Sequence, residues 1–371
     1  MGKISKPIVL YVSGNLAAKT MGLVCALARL RWPGRVLVIT DGYVPEPVEG
    51  LGSARRVRPA EAERFIRDAA LLVTSIRTPG ADERLLLRTA AAHGVPSLAV
   101  LADLGSGARK FRDEQGWALP DRLAVADPVT HRLMVQDGVP PEVLVQAGSP
   151  YLDTMLSQAR PAPRPRSRGD RTRICFSGVP NDSDFTIWGR NPHYTEADVM
   201  EGLTRVVDRL PGVHLTVRLH PKEFEEHPYA PYAGPRVTIQ PPDGRCPLEQ
   251  DLLSHAVNVS TYSTTLLVAR VFGQPAISFQ PPPGPVVRSD LYEAYGIPVA
   301  QTEGELFTHL SRAVEGLQGR GSLRGFLYNE GKGLEVIGQT MAALLDGGGR
   351  SGAGRRSAHG ALHPLPGSLR A

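Results

Sequence analysis

Short unbroken apolar runs alternate with amphipathic stretches along the first 150 residues. Ile8-Val-Leu-Tyr-Val12 ends at Ser13-Gly14-Asn15, and a helical pattern follows from Leu16 to about Leu30. Arg35–Ile39 reads as the next strand, stopped by Thr40-Asp41-Gly42. Further strands are expected at Ala70–Thr74, Ser97–Leu101, Leu123–Ala126 and Val143–Ala147, with helices at Asp82–His93 and Thr130–Gln136. A continuous apolar run marks a strand buried on both faces. Its alternation with amphipathic helices predicts a parallel sheet covered on both sides.

The pattern breaks at Arg160-Pro-Ala-Pro-Arg-Pro-Arg-Ser-Arg-Gly169, where alternating prolines and like charges preclude a packed element. It then restarts. Strands are expected at Arg173–Ser177, Val213–Leu219, Arg236–Ile239, Ala256–Val259 and Pro275–Phe279. Helices are expected at Glu196–Leu210, Leu248–His255, Thr264–Phe272, Glu303–Leu317 and Leu334–Leu345. The fold class is therefore α/β. The expected domains are a Rossmann-like unit over 1–157, an Arg/Pro-rich linker over 158–173, a second Rossmann-like unit over 174–346 and a disordered basic tail over 347–371. Two such sheets facing each other leave a cleft at the carboxyl ends of their strands, where open α/β sheets bind ligands.

Composition sharpens this picture at three points. The 371 residues carry 42 Lys+Arg against 37 Asp+Glu, a net +5, which invites a nucleic-acid reading. The excess is local, however. Residues 160–173 hold six Arg and one acid, and residues 347–371 hold four Arg and no acid, so the remainder is net negative by about four charges. With aromatics at only 6%, a stacking surface for single strands is also disfavoured, and no nucleic-acid partner is expected. Cys25, Cys175 and Cys246 are too few and too scattered for a disulfide framework or a zinc site, and each reads as a small buried hydrophobe. The apolar run at Ile8–Val12 is too short for a signal-peptide core or a membrane helix. No integral membrane segment is expected, and the chain reads as cytoplasmic.

Candidate chemistry sits at strand ends. Arg218-Leu-His220-Pro221-Lys222-Glu223 follows an apolar strand; His220 and Lys222 there suit a phosphate or a leaving-group oxygen, and an ordinary polar loop fits equally. Ser260-Thr261-Tyr262-Ser263-Thr264-Thr265 spans a strand-to-helix junction, with more hydroxyls than one N-cap requires. Backbone N–H groups plus Ser260, Thr261, Ser263, Thr264 and Thr265 form an anion site suited to a diphosphate. Ser13-Gly14-Asn15 is a tight first turn without GxGxxG, structural or ligand-facing. Asp103, in Leu101-Ala-Asp103-Leu-Gly105-Ser-Gly107, is a general base or a turn residue. Gly148-Ser149-Pro150-Tyr151-Leu-Asp153 reads as a structural hinge. The histidines lack ligand partners at metal spacing, so no metal is expected.

These residues resemble the GT-B glycosyltransferase superfamily. The likeness rests on the His220-Pro221 loop, the Ser/Thr junction and the following Ala269-Arg-Val-Phe-Gly273-Gln-Pro275-Ala-Ile277. In the first half it rests on Gly94-Val-Pro96-Ser-Leu-Ala-Val-Leu101, Leu119-Pro120-Asp121 and Gly148-Ser149-Pro150-Tyr-Leu-Asp153. It covers about residues 8–345 and is similar to bacterial surface-polysaccharide members: capsule and sialyltransferase-like proteins, CDP-glycerol glycerophosphotransferases and UDP-N-acetylglucosamine 2-epimerases.

The resemblance implies a GT-B-like fold, with a nucleotide-activated donor on the second domain and a hydroxyl acceptor on the first. His220, Lys222, Glu223 and the Ser260–Thr265 run would hold donor phosphate, with His220 also catalytic. Asp103 would deprotonate the acceptor, with Ser13, Gly14 and Asn15 on the acceptor side. No cofactor is implied, since the donor is a substrate. The implied partners are that donor, an acceptor the sequence does not name and a second copy as homodimer. Two departures matter. Epimerases carry an Asp-Ser-Gly-Gly loop and a following Glu pair where this chain reads Ser260-Thr-Tyr-Ser263-Thr-Thr without an acid, which lowers the epimerase reading. Ala269 and Arg270 stand where many GT-B proteins grip the donor with a Glu. A nucleotide-sugar epimerase or hydrolase and a non-catalytic nucleotide-binding protein are the alternative readings.

Overall fold

Five consecutive apolar residues can be buried together only in a strand covered on both faces, and β1 (Ile8–Val12) is buried at all five positions. The computed structural model describes residues 6–41, 50–76, 81–158, 172–179, 193–220, 228–240, 248–284, 286–287, 289–316 and 326–347. The charged linker over 160–171 and the tail beyond 347 lie outside them, as do Lys222, Glu223 and Cys246.

The first half runs α1 (Asn15–Arg31), β2 (Val36–Thr40), β3 (Arg55–Arg56), α2 (Pro59–Arg67), β4 (Leu71–Ser75), α3 (Ala81–Ala92) and β5 (Ser97–Val100). A two-stranded ribbon of β6 (Arg112–Asp113) and β7 (Gly116–Trp117) follows. Then come β8 (Arg122–Val125), α4 (Pro128–Gln136), β9 (Leu144–Gln146) and α5 (Pro150–Gln158). Seven parallel strands lie in the order β3-β2-β1-β4-β5-β8-β9. The direction of winding reverses at β1, which pairs with β2 on one side and β4 on the other. Such a reversal opens a crevice above the carboxyl ends of the strands.

The second half runs β10 (Thr172–Ser177), α6 (Glu196–Arg209), β11 (Val213–Arg218), β12 (Val237–Gln240), α7 (Leu248–Ser254), β13 (Val257–Ser260) and α8 (Thr265–Val271). It continues with β14 (Ala276–Phe279), α9 (Ser289–Ala294), β15 (Val299–Ala300) and α10 (Glu303–Val314). Its six strands order as β12-β11-β10-β13-β14-β15, again parallel, with the reversal at β10. The two halves are Rossmann-like.

The two sheets differ in their faces. Strands of the second sheet alternate strictly, so one face is apolar and the other polar. Phe176, Val217, Val259 and Ile277 pack with Val199, Leu203 and Leu306 from α6 and α10. On the opposite face, register aligns Cys175 with Thr216 and Asn258, and Ser177 with Arg218 and Ser260; Ser260 in turn pairs with Ser278. These residues are buried or half-buried all the same, so each hydroxyl and charge there needs a partner.

One helix crosses between the halves. The sequence order places residues up to 346 with the second half, but α11 (Gly333–Leu345) packs Ile337, Met341 and Leu344 against Ile8, Leu10 and Val73 of the first. The chain is led there by specific contacts. Tyr328 N–H donates to Ala126 O at 2.9 Å, and Asn329 Nδ2 donates to Gln146 O at 2.6 Å. The Asp153 carboxylate accepts from Gly331 N at 2.9 Å and Gly333 N at 3.1 Å. Gly148, at φ 92, leaves room for this return: a Cβ there would lie 2.2 Å from Tyr328 O. The segment expected as a hinge is thus the start of α5 and the dock for the returning chain. A further apolar cluster joins the halves directly, with Leu104, Val129 and Leu152 against Leu266, Leu291, Tyr292 and Tyr295.

Candidate functional site

Between the halves, at the carboxyl edges of both sheets, lies a cavity. Ala102, Asp103 and Leu104 line it from the end of β5, and Tyr151 and Leu152 from α5. Leu248 of α7, with Thr264, Thr265 and Val268 at the start of α8, faces them from the second half. Three residues singled out from sequence, Asp103, Thr264 and Thr265, therefore converge on one space.

Asp103 is held by its own loop and its neighbours. Its Oδ2 accepts from Lys110 Nζ at 2.9 Å and from Ser106 Oγ at 3.3 Å. Gly105, at φ 64, brings the loop so close to the second half that a Cβ would lie 2.4 Å from Leu291 Cδ1. The same turn is fixed from below, where Gly105 N–H donates to Thr130 Oγ1 at 2.8 Å. Thr130 in turn donates to Asp127 Oδ2 at 2.5 Å, and Asp127 caps α4 by accepting from Val129 N and Thr130 N at 2.9 Å each. At the cavity's other wall, Lys19 Nζ donates to Tyr151 Oη at 2.8 Å.

The hydroxyl junction divides its labour. Ser260 is fully buried and donates to Ser177 O at 2.6 Å, which ties β13 to β10. Thr261 is 2 % exposed. Its carbonyl accepts from Ser278 Oγ and from Gln280 Nε2. Gln280 also bonds both backbone groups of Val287, so one buried amide fastens three loops at this edge. Ser263 Oγ accepts from Thr265 N at 3.2 Å and from Thr265 Oγ1 at 2.9 Å, a local turn bond just before α8, whose N-cap residue Thr264 makes no side-chain cap bond. Thr264 and Thr265 are half-buried on the cavity wall. A strand-to-strand bond thus accounts for the Ser260 hydroxyl and a local turn for that of Ser263.

His220 is half-buried just beyond β11. Two residues earlier, Arg218 Nη1 donates to Asp251 Oδ2 at 2.8 Å, an ion pair in which Asp251 is 2 % exposed. His255 Nδ1 lies 2.7 Å from Asp251 O, and burial holds its imidazole below the ordinary histidine range. Burial likewise pushes the Tyr194 hydroxyl up, beyond the usual phenol range. On the first half, Ser13 is buried and donates to Asp41 Oδ2 at 2.6 Å. Gly14, at φ 82, turns the chain into α1, whose first residue is Asn15. These three lie at the end of β1 and are not among the residues lining the cavity.

Sequence reading missed Lys110, Tyr151, the Arg218–Asp251 pair and Gln280. Tyr151 lies within the Gly148–Asp153 motif, which reads from sequence as a structural hinge and not as a cavity wall. The others lie in stretches whose significance depends on contacts distant in sequence. Among the described residues, no cluster of three or more His, Cys, Asp or Glu could hold a metal, and no helix is long and apolar enough to cross a membrane.

No protein-family model matches the sequence, and no curated protein matches it. Solved structures do match in fold. MnaA of S. aureus, solved with UDP, aligns at a TM-score of 0.61 and 12% identity over 92% of this chain and 97% of that one. The UDP-GlcNAc 2-epimerase of Methanocaldococcus jannaschii, in complex with UDP-GlcNAc and UDP, aligns at 0.59 and 10% identity over 91% and 99%. The wall teichoic acid polymerase TagF, soaked with CDPG, aligns at 0.55 and 13% identity over 92% and 89%. The fold is therefore GT-B-like: two Rossmann-like halves facing across a cleft.

Proposed function

We propose that this chain is a metal-independent GT-B-type transferase that moves a sugar or related group from a nucleotide-activated donor to a hydroxyl acceptor. The observation that carries the reading is the single cavity in which Asp103 of the first half faces Thr264 and Thr265 of the second. The donor phosphates lie along the second-half wall, bonded by the Ser263–Thr265 turn and by His220. Hydrogen bonds to a charged phosphate contribute about 1.5–3 kcal/mol each. The acceptor lies on the Asp103 side, toward the Ser13-Gly14-Asn15 turn.

In the transfer, the acceptor oxygen forms a bond to the migrating carbon or phosphorus as the bond to the nucleotide phosphate breaks. Asp103 receives the acceptor's proton, and His220 supplies a proton or a hydrogen bond to the leaving phosphate. Structures similar to this one in fold include UDP-bound and UDP-GlcNAc-bound proteins, which supports a nucleotide ligand.

Thermal shift and calorimetry with UDP, CDP, CMP and GDP test the donor site. At least one should stabilise the protein at millimolar concentration, and His220→Ala and Thr264→Ala should each weaken its binding by about tenfold, or about 1.4 kcal/mol. No response to any of the four rejects the reading. A nucleotide-sugar epimerase is the second reading, favoured by the fold likeness to the Methanocaldococcus jannaschii UDP-GlcNAc 2-epimerase. Incubation with UDP-GlcNAc and no acceptor separates them, because an epimerase yields an isomerised sugar and a transferase does not.

A further inference from the structure

Lys110 is a charged side chain placed almost wholly inside the protein, at 5 % exposure. It lies on a single 3-10 turn over Ala108–Phe111 whose end residues, Ala108 and Phe111, are sunk in the apolar core. Its Nζ has two recorded acceptors, both at strand ends. One is Ile76 O at 3.3 Å, just past β4, and the other is the Asp103 carboxylate at 2.9 Å, just past β5.

The turn is braced from behind. Arg84 Nη1 donates to Lys110 O at 3.0 Å, and Ala108 N–H donates to Asp137 Oδ2 at 2.7 Å. Arg84 and Arg88 of α3 both also grip Asp113 of the ribbon, which anchors the next stretch of chain.

Removing an ammonium from water costs several kcal/mol, which ion pairing recovers only with good geometry. A methionine would fill the same space without that cost. The fold keeps the charge, braces its backbone and directs it at a carboxylate whose side chain is 32% exposed and lines the cleft.

We propose that Lys110 is a positioning residue of the cleft, fixing the Asp103 carboxylate as the hydrogen-bond acceptor for a hydroxyl of the acceptor substrate. This inference rests on the transferase reading above. A carboxylate free to rotate samples many orientations, and holding one oxygen pins the plane of the other. Orientation of this kind acts on the chemical step and leaves nucleotide binding on the opposite wall untouched.

The test compares wild type, Lys110→Met, Lys110→Arg and the double variant Lys110→Met/Asp103→Asn. UDP affinity is read by calorimetry, and nucleotide release is read from UDP-GlcNAc and from CDP-glycerol with a mixed hydroxyl acceptor pool. Lys110→Met should keep the UDP Kd within about twofold while kcat falls by about tenfold or more. Lys110→Arg, which retains the cation, should recover most of kcat. The double variant should regain thermal stability, which shows that the loss in Lys110→Met comes from leaving the Asp103 carboxylate unpaired. It is not expected to turn over, since Asp103 is the base, and recovery of kcat in Lys110→Arg is what separates positioning from scaffolding. If Lys110→Met does not fold, Lys110→Gln takes its place.

Unchanged kcat in a Lys110→Met protein that is merely less heat-stable overturns the proposal alone. A wild type that binds none of the nucleotides overturns the parent reading, and this one falls with it. A wild type that binds nucleotide but releases none from either donor leaves the donor site standing and removes the acceptor-side role of Lys110.

Discussion

Asp127 is fully buried, yet three hydrogen bonds converge on its carboxylate, from Val129 N, Thr130 N and Thr130 Oγ1. It therefore caps α4 and, through Thr130, steadies the loop carrying Asp103. Asp127→Ala should lower the unfolding free energy by about 1–2 kcal/mol, the usual loss for an N-cap, measured by urea denaturation. His255 makes a second prediction at this scale. Burial favours its neutral form, so its folded pKa lies below its unfolded value. The stability it permits is complete above about pH 6.5 and is lost as pH falls below that value, because the unfolded state then binds the proton more readily. Unfolding midpoints between pH 8 and 5 should decline in wild type and flatten in His255→Gln. None of these residues is distinguishable in the sequence from an ordinary turn Asp or core His. Their roles are set by what lies across the sheet, and Lys110 is the extreme case, since nothing within Gly107-Ala-Arg-Lys-Phe111 points to a carboxylate seven residues earlier.

Elements were far more legible than residues. The long apolar runs and amphipathic stretches fall within three residues of the observed strands and helices, because burial on one face or two imposes a period that neighbours cannot hide. The misses have physical causes. β3 is two exposed arginines paired with Ile39 and Thr40 of β2, so it carries no apolar signal. α5 opens with Pro150, which reads as a hinge although proline suits the first position of a helix. The second sheet differs from the first in its faces. Its alternating strands place a buried polar face under α7, and the Arg218–Asp251 pair is the bond that holds this helix to β11. Asp251→Asn should cost about 3–5 kcal/mol by stranding a buried guanidinium, whereas Arg218→Met/Asp251→Leu should recover most of it. A double-mutant cycle in guanidinium chloride measures both.

At the scale of the whole molecule, the site depends on two halves being held in one arrangement. The cluster of Leu104, Val129 and Leu152 with Leu266, Leu291 and Tyr292 does this directly, and α11 does it by covalent continuity. Truncating Ile337 or Met341 to Ala should cost about 2–5 kcal/mol, as for other large-to-small core changes. The loss should appear in the unfolding of the first half, followed by hydrogen exchange at β1 and β4, although both mutations lie beyond residue 330. The chain order of that helix also bears on how the protein is made. On the ribosome, β1 emerges early, but α11, which shares one side of its sheet with α1, follows the strands of both sheets. The second half can therefore collapse while Ile8, Leu10 and Val73 are covered by α1 and still lack α11. Completion of the first half thus waits on chain that follows the second, against the N-terminal-first habit of multidomain chains. A nascent chain stalled before Gly333 would present a sticky, half-clad sheet to chaperones, and the cleft would acquire its final shape only once α11 has emerged and docked.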